Sequence, residues 1–125
     1  MSQTRPLFPA TRVVSLGGGA KMIFCSGVTA RGSPAAGKPV QDQARECLAK
    51  LERALAAEGA TWADVLKTTT WLSDMRHYDG FNEARVDFFA NLPVPPASST
   101  IGGAQFTSTD VSIEIEAIAV LPGGA

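Results

Sequence analysis

The chain has 125 residues, 45% hydrophobic and 18% charged, which supplies one packed core and too little charge for a disordered tail. Eleven basic and twelve acidic side chains leave a formal charge of −1, so no basic excess exists to neutralise a phosphate backbone, and a dedicated nucleic-acid binder is disfavoured. No apolar run nears the roughly 20 residues that span a bilayer, and residues 1–6 lead into no apolar signal segment, so the expectation is a cytoplasmic protein without a membrane partner.

Two short β-rich runs, 12–16 and 22–25, flank Gly17, Gly18, Gly19 and Ala20 and read as a hairpin. Residues 32–37 form a loop by composition. From 41 to 58 the period becomes helical: Ala44, Leu48, Leu51 and Leu55 share one face, and Arg45, Glu46, Lys50, Glu52 and Arg53 take the other. Gly59 stands where a helix C′ glycine belongs, and Thr61 and Asp64 bracket a small capping turn.

Residues 65–72 are rich in β-branched side chains and read as a strand. After a connection at 73–76, a second helix carries Tyr78, Phe81, Phe88 and Phe89 as its buried stripe, and Pro93, Pro95 and Pro96 end it. A strand around 98–101 leads through Gly102 and Gly103 to the last strand. There Val111, Ile113, Ile115, Ala117 and Ala119 point one way, with Ser112, Glu114 and Glu116 opposite.

That order predicts a single α+β domain over 1–125, one sheet with two helices packed on one face. Thr68, Thr70, Glu114 and Glu116 read together as a semi-polar second face. A sheet covered on one side completes its burial by oligomerising.

His77 is the single histidine, so a His-rich metal cluster and an HExxH site are impossible, and no metal site is predicted. It lies in a polar connection and reads as exposed. Gly17 to Gly19 fit neither phosphate-loop spacing and are best explained as a turn. Cys25 and Cys47 match no metal or redox motif and read as two buried, reduced thiols. Glu114 and Glu116, at i and i+2 on one strand face, stand roughly 7 Å apart. Such a pair either divides acid and base roles or serves as structural carboxylates at an edge or interface.

Several segments jointly resemble the Rid family, also called the YjgF family. The run from Asp64 through Lys67, Thr68, Thr69, Leu72, Asp74 and Met75 follows that family's central block. Phe81, Asn82 and the later Phe88-Phe89 pair match its second helix. Glu114-Ile115-Glu116-Ala117-Ile118-Ala119 matches its terminal strand, and Ser26-Gly27 its early Ser-Gly. The blocks run in family order across nearly the whole chain.

The resemblance implies a chorismate-mutase-like fold with a mixed sheet, a homotrimer, and clefts at subunit interfaces. It implies hydrolysis of small enamines or imines, such as 2-aminoacrylate, to keto acids and ammonia, with no cofactor. The family's water-positioning carboxylate falls on Glu114. Its substrate-binding residues fall on Ser26, Gly27 and Asn82.

One departure stands out. The family's Pro-Ala-Arg-Ser-Thr appears here as Pro96-Ala97-Ser98-Ser99-Thr100, so the arginine that grips a substrate carboxylate is Ser98. A serine cannot reproduce a bidentate, charge-assisted pair. The family's early tyrosine is replaced by Thr11, Arg12 or Val13, and Arg12 at the cleft would reach an anionic substrate from the opposite wall. The expectation is a deaminase-type hydrolase with an altered substrate. The alternatives are a non-catalytic trimer that binds a small metabolite and, weakest, an endoribonuclease.

Overall fold

A computed structural model describes residues 7–124; the segment 1–6, read above for a signal, lies outside the described residues. Strands β1 (Thr11–Gly17) and β2 (Ala20–Val28) form the expected hairpin. Helix α1 (Val40–Ala57) follows, then β3 (Val65–Leu72), helix α2 (Tyr78–Phe88), β4 (Ala97–Ile101) and β5 (Ile113–Leu121). The five strands form one mixed sheet in the order β1-β2-β5-β3-β4. Only β3 and β4 run parallel, because α2 carries the chain back between them.

Both helices lie on one face. Leu48, Leu51 and Leu55 of α1 are buried against Ile23, Ile115, Ala117 and Ala119 of the sheet, and Phe81 and Ala84 of α2 complete the core. Each fully buried Leu or Ile contributes about 1.5–3 kcal/mol by leaving water. Helix α1 stops at the expected glycine: Gly59 takes φ +80°, its N–H bonds to the Ala56 carbonyl, and Ala60 N–H reaches back to Leu55. Thr61 and Asp64 close a reciprocal capping box on the one-turn helix that leads into β3.

The second face of the sheet differs from the expected one. Thr68 and Thr70 point toward the helices, 4% and 1% exposed, whereas Glu114 and Glu116 point away. A register shift between Val65 and Lys67 reverses the phase of β3, so the residues that face Glu114 and Glu116 across the ladder are Trp71 and Thr69. The rest of this uncovered face carries Arg12 and Lys67 beside an apolar patch: Val14, Phe24 and Ile118 lie across it, with Val14 52% and Phe24 43% exposed.

No helix among the described residues is long and apolar enough to cross a membrane.

Candidate functional site

The sequence-derived site residues form two groups, one on each face of the sheet. Glu114 leads the first. It sits near the start of β5, half-buried, opposite Trp71 on β3. On its other side β2 breaks register between Cys25 and Val28, which brings Gly27 against the carboxylate. Burial, and then the negative charge of Glu116, pushes the Glu114 carboxyl above its ordinary pKa. Neither cation nor hydrogen-bond donor among the described residues offsets that shift. The buried Gln43 of α1 steadies the entry to β5, accepting from Ser112 N–H at 2.9 Å and donating to the Lys38 carbonyl at 2.8 Å.

Ser26 stands beside Gly27, but its hydroxyl is engaged. It donates to the Pro9 carbonyl at 2.7 Å while its N–H bonds Ala10, and together these pin the segment before β1. Arg12 shares the uncovered face with Glu114 without meeting it. It is level with Phe24 and Ile118, four ladder positions from Glu114, or about 13 Å along the strands.

Asn82 and Ser98 form the second group, on the helix side of the sheet. Ser98 pairs in register with the buried Thr68, so its hydroxyl turns toward α2. There it accepts from Arg85 Nη1 at 2.8 Å, while Arg85 Nη2 donates to Asn82 Oδ1 at 2.7 Å and to the Tyr78 hydroxyl at 3.3 Å. The guanidinium also lies over the Phe81 ring, 4.5 Å from its centroid. An open cleft of about 500 Å³ borders this cluster, walled by Val86, Phe89, Leu92 and Pro96.

The sequence reading does not single out Arg85. One signal was available: it lies at i+3 from Asn82, i+4 from Phe81 and i+7 from Tyr78, hence on their helical face. What the sequence could not supply is the arrival of Ser98 from another element.

His77 also differs from its expected exposure, since its Nδ1 is buried without a partner among the described residues. It lines a second cleft, of about 650 Å³, with Gln43, Ser73 and Asp110. Among the described residues no group of three or more His, Cys, Asp or Glu side chains is placed to hold a metal ion.

Comparison with known proteins gives these groups a context. Residues 9–121 match the family described as Endoribonuclease L-PSP. The chain is 37% identical over 93 residues to a RutC family protein of Haemophilus influenzae, covering 70% of this chain and 71% of that one. It is 36% identical over 105 residues to the chloroplastic Reactive Intermediate Deaminase A of Arabidopsis thaliana, covering 80% of this chain and 54% of that one. The fold superposes on Escherichia coli TdcF with bound serine at a TM-score of 0.74 and 32% identity, covering 94% of this chain and 91% of that one. Against several curated relatives the chain spans less than two thirds of their length.

Proposed function

Because the chain belongs to the Endoribonuclease L-PSP family, the Rid or YjgF group whose members include reactive intermediate deaminases, we propose that it hydrolyses a small imine or enamine to a carbonyl compound and ammonia. The observation that carries this reading is Glu114: a half-buried carboxylate without an ion-pair partner among the described residues, held above its ordinary pKa.

Such a carboxylate, when ionised, is a stronger base than an exposed one. It takes a proton from water as the water oxygen bonds to the imine carbon. The C=N π pair moves to nitrogen, giving a carbinolamine. Protonated Glu114 returns its proton to that nitrogen, the hydroxyl proton then passes through Glu114 to the same nitrogen, and collapse of the resulting C–O⁻ to C=O expels ammonia. An enamine enters the same route after protonation at its β-carbon.

One protomer keeps Glu114 and the Asn82–Ser98 cluster on opposite faces of its sheet. The proposed site is therefore a cleft between subunits, in which the Glu114 group of one copy faces the Asn82 group of the next. The uncovered apolar face bearing Val14 and Phe24 is the surface on which copies would assemble as a homotrimer. The serine held by the related TdcF supports a ligand of amino-acid size.

Ammonia release from freshly generated 2-imino acids tests the reading. Turnover should fall by about 100-fold or more in Glu114→Gln, and sedimentation equilibrium should give three times the chain mass. Full turnover in Glu114→Gln would remove Glu114 from the reaction.

A further inference from the structure

Arg85 is a half-buried cation with no carboxylate among the described residues within ion-pair distance. Three neutral oxygens, on Ser98, Asn82 and Tyr78, hold its fork in place. A guanidinium has five N–H donors, so the hydrogen bonds to those oxygens leave some of its donors free for a ligand. Apart from Thr68, the rest of the cleft it borders is apolar, with Val86, Phe89 and Leu92 among its walls. Partial burial without a counter-charge is costly, and a ligand that supplies the charge recovers that cost as affinity. A fixed, planar fork selects a planar, bidentate anion.

We propose that Arg85 is the anion-binding residue of this cleft, and that its ligand is a small carboxylic acid with a short apolar side chain. The guanidinium then reaches the Ser98 site from α2 instead of projecting from β4, and Ser98 and Asn82 act as its positioning residues. The identification of the acid as an imine substrate or its keto-acid product rests on the proposed function; the grip itself does not.

Calorimetric titration of the full chain with 2-oxobutanoate, with the uncharged butanone and with inorganic phosphate tests the proposal. The wild type should bind the acid and ignore butanone. Arg85→Lys, which keeps the charge and loses the fork, should weaken acid binding by about tenfold, and Arg85→Gln by about 100-fold. The exchange Arg85→Ser with Ser98→Arg should restore affinity to within about tenfold of wild type, which a purely structural role for Arg85 does not predict. Thermal unfolding of each variant separates lost binding from lost fold.

Undiminished acid binding in folded Arg85→Gln overturns the inference, as does equal binding of butanone, tighter binding of phosphate, or no acid binding by the wild type. Arg85-dependent acid binding without any ammonia release sinks the deaminase reading alone. Ammonia release that survives Arg85→Gln and dies in Glu114→Gln sinks the Arg85 proposal alone.

Discussion

The Glu114 carboxylate lies directly against the Cα of Gly27: a methyl group built there would overlap Oε2 and come within 3.0 Å of Cδ. Gly27 is not held at positive φ, so its role is one of space. Gly27→Ala should therefore push the carboxylate off its position and lower turnover in the proposed deamination by about 100-fold. Overpacking should also cost about 1–3 kcal/mol of stability. Steady-state kinetics alongside urea unfolding checks both, and an alanine variant with full turnover would show that the carboxylate tolerates displacement.

The raised pKa of Glu114 sets a pH dependence with a definite sign. Burial, reinforced by Glu116, makes the folded state bind this proton more tightly than the unfolded state. Such a group lends stability below its unfolded pKa and withdraws it as pH rises through the folded pKa. The ionised form of Glu114 thus strains the fold. Glu114→Gln should raise Tm at pH 7, with the difference disappearing in acid. Turnover of the wild type should fall on the acid side at a higher pH than an ordinary carboxylate would give. A lower Tm for Glu114→Gln at pH 7 would mean that the charge is stabilised by contacts absent from the single chain.

Thr70 offers a stability gain. Its side chain is 1% exposed, and its hydroxyl has no hydrogen-bond partner among the described residues. Replacing an orphaned hydroxyl by a methyl of the same shape removes a desolvation cost. Thr70→Val should stabilise by about 1 kcal/mol, read as a higher urea midpoint at unchanged slope. Destabilisation would place an ordered water on that hydroxyl.

The two thiols should be silent in the native protein. Burial pushes Cys47 up to about 12, and Cys25 is raised by burial and by the charge of Glu58. Thiolates are the reactive species. Ellman's reagent should therefore titrate no thiol before unfolding and both after it. Native labelling of Cys25 would reveal opening of the β1–β2 hairpin.

The sequence makes the elements legible because their signals are local. The spacing of Leu48, Leu51 and Leu55 marks α1, Gly59 its end, and the alternation from Ile113 to Ala119 the last strand. Thr68 and Thr70 mislead because three consecutive threonines carry no phase, and the bulge after Val65 sets it instead. Glu114 could be picked out, since its neighbours alternate cleanly. Arg85 could not be assigned a role, because its meaning depends on a hydroxyl thirteen residues away that only the chain's return along β4 delivers. Local periodicity reveals faces. It does not reveal which side chains meet when separate elements converge.

Asn82, Arg85 and Ser98 all belong to the excursion that leaves β3 through α2 and returns as β4, whereas Gly27 and Glu114 belong to the neighbouring β2–β5 pair. On the proposed reading, ligand choice and water activation are thus encoded in separate stretches of chain. A substitution in the first stretch can redirect which acid is held without disturbing the second. In that proposal the anion-gripping arginine can sit on a helix rather than a strand while the stretch that carries the carboxylate stays unchanged.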